Sequence, residues 1–98
     1  MSEVRERFEK DLAEVDWRSL RIHIQRDALI LVAAQLDLVE VAIEVTADAV
    51  AVVGDWVKNG LLVKPTAEQL KAWETELDKP FRMLIAAPYI LIQEVLHV

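Results

Sequence analysis

A change of hydrophobic period marks residues 28–60, which read ALILVAAQLDLVEVAIEVTADAVAVVGDWVKNG. The first six residues are a short, continuous apolar run, whose length and branching favour a buried strand, although periodicity alone does not separate strand from helix. Asp37 and Glu40 then have the spacing of a capping box. One apolar stripe follows, formed by Leu38, Val41, Ala42 and Val45. The stripe predicts a helix of about two turns.

A second helical stripe restarts at Thr46 or Asp48. Its apolar positions are Val50, Val53 and Val57 on one line, with Val52 and Trp56 beside them. The pattern ends at Asn59 and Gly60, and glycine there is typical of the left-handed residue that follows a helix. The sequence therefore predicts two short helices in succession after the strand.

Two further helices are predicted before this stretch. Residues 1–15 are amphipathic, with apolar positions at helical spacing at Val4, Phe8, Leu12 and Val15. Asp16 has the chemistry of an N-cap. The positions after it continue the spacing with Trp17, Leu20 and Ile24. They predict a second helix that runs to about Arg26.

The C-terminal part combines strands with one more helix. Residues 61–64 predict a short strand that Pro65 ends. Thr66 and Gln69 fit a capping box. The buried stripe of the helix behind it consists of Leu70, Trp73 and Leu77, and Lys79 and Pro80 end that helix. Residues 81–94 are apolar almost throughout.

Pro88 leaves two interpretations of this last segment. A strand must place Pro88 at an edge or a bulge, because proline cannot donate a ladder hydrogen bond. The alternative is a terminal helix that starts at Pro88 and turns Tyr89, Ile92 and Leu96 inward. We prefer the strand.

The order of these elements predicts one domain, residues 1–98, with an α+β, winged-helix-like fold. Residues 1–15 are the N-terminal helix and residues 16–94 the winged-helix-like core, with helices packed on a small, mostly antiparallel sheet. The strands at 61–64 and 81–94 would form the wing hairpin. This wing departs from the usual pattern because its connection contains an extra helix.

Composition excludes several classes of protein. The chain has 98 residues, a formal net charge of −6 and no cysteine, which rules out disulfides, thiolate nucleophiles and cysteine metal sites. The charged N-terminus is unlike a secretory signal, and no uncharged stretch reaches the ~20 residues of a membrane helix. We therefore expect a cytoplasmic protein without a membrane span. At 54% hydrophobic, the chain is also more apolar than a typical domain, which suggests that a partner covers part of its surface.

The charge pattern argues against nucleic acid as a partner. Residues 28–57 contain no Lys or Arg, and their charges are Asp37, Glu40, Glu44, Asp48 and Asp55. This block holds the helix that would enter the major groove, where affinity comes largely from basic side chains. Lys58 and Lys64 flank the block but do not make a clustered basic footprint.

No catalytic constellation is visible, so we assign no catalytic, cofactor-binding or metal residues. The histidines are His23 and His97, the serines are Ser2 and Ser19, and neither serine lies in a nucleophile elbow. With two glycines there is no phosphate-binding loop. Asp37, Glu40 and Glu44 share one helix face and could in principle hold a cation, but we prefer to interpret them as a solvated acidic face opposite the apolar stripe.

Three aromatic residues are the candidate protein contacts. The tryptophans lie near apolar stripes, where core packing is their ordinary role, yet tryptophan is also enriched at binding hot spots. We expect at least one tryptophan to be partly exposed. The possible contact residues are Trp56, Trp73 and Tyr89.

Several dispersed motifs resemble a known family. They are LDLVEVA at 36–42, Trp56, Gly60 with Leu61, Pro65 with Thr66, Glu68 with Gln69, Trp73, and APYILIQE at 87–94. Together they resemble a family of small bacterial proteins called domain of unknown function 2288, over roughly residues 12–94. The resemblance implies a bacterial, soluble, stand-alone domain. It carries over no activity and no ligand residue.

The function best suited to these observations is a non-enzymatic protein-interaction or regulatory module that forms a homodimer or binds another protein. One alternative is a transcriptional regulator that binds DNA through a surface other than the acidic middle block. Another is a small carboxylate-based metal- or ligand-binding protein. No cofactor is expected.

Overall fold

The computed structural model describes residues 3–22, 28–86 and 89–95. Its elements follow in this order: α1 (Glu3–Asp11), β1 (Ala13–Asp16), α2 (Trp17–Leu20), β2 (Leu29–Val32), α3 (Leu38–Thr46), α4 (Val50–Lys58), β3 (Leu62–Val63), α5 (Ala67–Glu74), β4 (Pro80–Ala86) and β5 (Tyr89–Glu94). The predicted α+β class is confirmed.

One five-stranded sheet organises the described residues, in the order β1-β4-β5-β2-β3. β4 pairs antiparallel with β1 and with β5, and β3 pairs antiparallel with β2. β2 and β5 run parallel, with Ile30 opposite Leu91. The sheet is therefore mixed, with mostly antiparallel pairs.

Both faces of the central strands are buried. Side-chain alternation sends Leu84 and Leu91 to one face and Phe81 and Ile92 to the other. Buried residues of α1 and α3 pack on the first face, which we call the α3 face. Buried residues of α2 and α5 pack on the second, the α5 face.

Three aromatic rings anchor the α5 face. The ring centroid of Trp73 lies 4.9 Å from that of Trp17 and 5.0 Å from that of Phe81. Trp17 Nε1 donates a hydrogen bond to Glu74 Oε2 at 2.5 Å, and Glu74 also accepts one from Arg21 at 2.6 Å. Tilted ring pairs add to the gain from burial, and the bond to Glu74 satisfies the indole N–H.

The N-terminal helix is shorter than predicted. α1 ends at Asp11, and Val15 lies in β1 opposite Phe81 instead of on a helix. The backbone of residues 13–16 pairs with β4. Without this pairing, β4 would be an open edge of the sheet. The predicted second helix begins at Trp17, as expected, with Asp16 accepting from the Ser19 N–H. This α-helix ends at Leu20, with Arg21 as its C-cap. The rest of the predicted helix, from residue 23 to Arg26, lies outside the described residues, as do His97 and Ser2.

Three local signals in the sequence are confirmed. Asp37 caps α3 by accepting from the Val39 N–H at 2.9 Å, although Glu40 binds Arg5 instead of completing a capping box. Thr66 and Gln69 form the complete box at the start of α5. Gly60 has a φ of 74°, the left-handed conformation expected after α4.

α4 begins at Val50, later than the predicted restart at Thr46 or Asp48. The N-cap residue is Ala49, which makes no side-chain cap. Thr46 is the last residue of α3, and its hydroxyl donates to the Ala42 carbonyl at 2.9 Å. Asp48 takes the turn between the helices with a φ of 56°, a conformation that aspartate tolerates better than most residues.

The C-terminal segment is β-structure, as preferred, but it forms two strands. β4 and β5 make a hairpin in which Ala86 pairs with Tyr89, and Pro88 lies outside the described residues. β3 pairs with β2, with Val63 opposite Leu31, so the predicted wing hairpin of β3 with the C-terminal strand does not form. β2 lies between β3 and β5 and separates β3 from both C-terminal strands. The winged-helix assignment is therefore not confirmed.

Neighbouring residues of β4 test the two-faced sheet. Leu84→Ala should lower the free energy of unfolding by about 2–5 kcal/mol, because Leu84 is fully buried on the α3 face. Ile85→Ala should change it by less than about 1 kcal/mol, since Ile85 is 55% exposed. Urea denaturation measures both, and equal losses would contradict the described register.

The capping box gives a second test. Thr66→Ala should cost about 0.5–2 kcal/mol of unfolding free energy, because the Gln69 N–H loses its acceptor at 3.1 Å. Thr66→Ser keeps the hydroxyl and should stay near the parent chain in the same urea titration. A serine variant as unstable as the alanine variant would show that the threonine methyl, and not the cap, stabilises α5.

Candidate interaction surface

α4 is an apolar helix that contains no fully buried residue. Val50 is 74% exposed and Val57 is 55% exposed. Only Val53 and Trp56 of this helix pack, half-buried, against the core of the α3 face. An apolar stripe that lies in water is unusual in a folded domain, because covering apolar area is the main favourable term in folding and association.

The helical wheel explains which residues turn outward. Ala49, Val53 and Trp56 are three or four positions apart and face inward together. Val50 and Val57 lie about a quarter turn away, so they flank the buried line without joining it. A single stripe in the sequence is thus divided between core and surface.

A groove of about 470 Å³ runs beside this exposed flank. Apolar side chains line it from α3, α4, β3 and β5: Val45, Val53, Val57, Leu62, Val63 and Tyr89. Val63 and Tyr89 are themselves partly exposed, Tyr89 by 42%. We call the exposed surface formed by Val50, Val57, Val63 and Tyr89 the α4 face.

The edge of the sheet lies next to the α4 face. β3 is the last strand in the sheet order and is bonded to β2 on one side. Lys64 and Pro65 follow it directly, and charged residues and proline at an edge limit strand addition. The side chains of this surface are therefore better suited to contacts than its backbone.

Charges of opposite sign lie at the two ends of α4. Asp48 precedes the helix and Lys58 is its last residue, and both are exposed. Each charge also interacts favourably with the dipole of its own helix end. The apolar flank is thus bounded by one acid and one base.

The three predicted contact residues have different positions. Tyr89 lies in the α4 face, whereas Trp56 is half-buried on the inward side of α4, against the core of the α3 face. Trp73 is only 4% exposed in the aromatic cluster of the α5 face, so its ring has no surface to offer a partner. Sequence reasoning missed Val50 and Val57, since their spacing is also that of a core stripe.

Two of the three acidic residues considered as a cation site, Asp37 and Glu40, make other contacts. Asp37 caps α3 and Glu40 pairs with Arg5. Among the described residues no group of three or more His, Cys, Asp or Glu is arranged to hold a metal ion. Oxygen ligands for a cation do not converge in that part of the chain.

Several described cations are bound to carboxylates. Arg21 bridges to Glu74 at 2.6 Å, Lys79 to Glu94 at 3.4 Å and Arg18 to Asp78 at 3.6 Å, in addition to the pair of Arg5 and Glu40. These pairs reduce the positive charge available to a phosphate backbone. None of the helices in the described ranges is long and apolar enough to cross a membrane.

Comparison with known proteins gives a family and a fold. No curated protein matches the chain. An NMR solution structure of PA1075 from Pseudomonas aeruginosa is 31% identical, with a TM-score of 0.81, and the match covers 99% of this chain and 89% of that one. The profile of the family described as "Protein of unknown function (DUF2288)" matches residues 3–94. The resemblance noted in the sequence is confirmed, and the chain belongs to the DUF2288 family.

Proposed function

We propose that this protein is a non-enzymatic interaction module that acts as a homodimer, with the α4 face at the interface. The observation that carries the proposal is the exposure of Val50 and Val57 on a helix with no buried residue. Covering a valine side chain gains on the order of 1 kcal/mol. Val63 and Tyr89 extend the apolar area beyond the helix.

A second copy fits this surface because the surface is complementary to itself. In an antiparallel pair of α4 helices centred between Val53 and Gly54, Val50 of one copy lies beside Val57 of the other. Lys58 then lies within a residue of Asp48 of the other copy. A two-fold axis repeats both contacts, as in most homodimers. Standard interfaces bury about 800 Å² per partner, so β3 and Tyr89 would have to contribute as well as α4.

Charge substitutions test the antiparallel pairing. Val50→Glu and Val57→Lys should each weaken self-association by about tenfold or more, because each places a charge against a valine. Both keep a favourable charge at their end of the helix. Mixing the two variants should restore association, since the introduced charges then face one another. Sedimentation equilibrium at micromolar concentration measures the dissociation constants.

Ile85 provides the matched control. It has the same 55% exposure as Val57 but lies on the opposite face of the sheet, so Ile85→Lys should leave the dissociation constant unchanged. A strictly monomeric parent chain would overturn the homodimer. Association that both single variants leave intact would remove the α4 face from it.

Gly54 supplies an independent prediction. A Cβ at this position would meet nothing within 4 Å in the single chain. In the Val50→Glu background, Gly54→Ala should therefore raise the free energy of unfolding by about 0.4–1 kcal/mol in urea titrations. In the parent chain the same change should weaken dimerisation by roughly fivefold or more, because overpacking a close helix crossing costs about 1 kcal/mol or more. Unchanged dimerisation would contradict a crossing at Gly54.

A further inference from the structure

A polar cleft of about 360 Å³ lies at the N-terminal end of α3, whereas the α4 face lies beyond its C-terminal end. Arg82 of β4, Gln93 of β5 and Asp37 bring polar groups to this cleft. Leu12 and Leu36 supply its accessible apolar side chains, and Leu38 behind them is buried. Small-molecule sites commonly combine a cavity of this size with a few convergent polar groups.

Gln93 contributes a fixed hydrogen-bond acceptor. The side chain is buried, with 4% of its surface exposed, and Nε2 donates to the carbonyl oxygens of Ala33 and Leu36, both at 2.8 Å. These two bonds identify the nitrogen and so fix the direction of the amide. The Oε1 atom has no hydrogen-bond donor among the described residues and is left for the cleft.

Arg82 contributes hydrogen-bond donors. It lies directly opposite Gln93 in the pairing of β4 with β5, so both side chains project from the α3 face. Glu14 lies opposite Arg82 on its other side, in β1. The Arg82 guanidinium forms no ion pair or hydrogen bond with Glu14 or with any other described residue. Its planar N–H groups match a carboxylate bidentately.

Asp37 contributes a negative charge that is only partly used. Its Oδ1 accepts from the Val39 and Glu40 N–H groups, and Oδ2 makes no hydrogen bond within the described residues. The charges of Asp37 and Arg82 cancel, and Glu14 adds a further negative charge nearby. A multiply charged anion such as phosphate is therefore opposed, whereas a small molecule that carries one charge of each sign is favoured.

From these groups we infer that the cleft binds a free α-amino acid with an aliphatic side chain. The carboxylate pairs with Arg82, and the ammonium group donates to Asp37 and to Gln93 Oε1. The side chain lies on Leu12 and Leu36, the two leucines of the cleft that are not buried. This site is separate from the α4 face, so it does not depend on the homodimer.

An NMR titration of the ¹⁵N-labelled full chain tests this inference with four probes. L-leucine should give saturable shifts at the amides of Arg82, Gln93 and Leu38. The truncated probes 4-methylpentanoate and 3-methylbutylamine, which lack the amine and the carboxylate respectively, should each bind at least about tenfold more weakly. Inorganic phosphate should give no saturable shift there. Absence of saturation by leucine, equal binding of the truncated probes, shifts that map elsewhere, or saturation by phosphate would each overturn the assignment.

Two exposed positions separate the roles of the charged groups. Arg82→Gln should weaken leucine and 4-methylpentanoate by roughly 10- to 100-fold but leave 3-methylbutylamine unchanged. Asp37→Asn keeps an N-cap residue and should weaken leucine and 3-methylbutylamine without weakening 4-methylpentanoate. Glu14→Gln is the control and should not weaken leucine. The same spectra report folding, and a uniform loss for all three probes in either variant would contradict these roles.

Discussion

The parallel pairing of β2 with β5 is the constraint on which the rest of the fold depends. Parallel neighbours cannot be joined by a tight turn, so the chain between them must cross over the sheet. Here that connection contains α3, α4, β3, α5 and β4. Because the connection passes both faces, β5 is buried on both sides and its apolar residues no longer alternate with polar ones.

The path of this connection between β2 and β5 also explains why α4 is exposed. α3 covers the centre of the α3 face, and α4 lies over β3. With two residues, β3 is too short to cover a nine-residue helix.

The parts of the fold that the sequence predicts are those decided within a few residues. Asp37, Gly60 and the pair of Thr66 and Gln69 act through hydrogen bonds or backbone angles of their own neighbours, so their positions follow from residue type and spacing. Strand pairing depends instead on which distant segment offers an edge. Val15 has helical spacing with Phe8 and Leu12, yet it joins a strand because β4 needs a neighbour. The partner of β3 could not be read from residues 61–64 for the same reason.

The exposure of the α4 face could not be predicted from the sequence, because its helical valines have the regular spacing of a core stripe. Val50, Val53 and Val57 form one stripe, and period alone does not say whether a stripe meets a core or water. α4 differs from α3 in the residues around its apolar stripe. Gly54 lies in the middle of the helix, and Ala49 at its N-cap makes no side-chain hydrogen bond. A helix that is weak by itself and exposed when folded gains stability from a neighbour. Trp73 is the opposite case. The sequence suggested a contact residue because tryptophan is common at interfaces, but its ring packs between Trp17 and Phe81.

Three of the five acidic residues in the segment 28–57, which contains no Lys or Arg, have a structural role. Asp37 caps α3, Glu40 holds Arg5 of α1, and Asp48 takes the left-handed turn between α3 and α4. None of these positions tolerates a lysine or arginine equally well, since each needs an acceptor, an anion or a short side chain. The first base after the block, Lys58, stands at the far end of α4 from Asp48. A parallel pair of α4 helices would set Asp48 against Asp48 and Lys58 against Lys58, whereas an antiparallel pair joins unlike charges. The charges of Asp48 and Lys58 thus favour the antiparallel orientation of the proposed dimer.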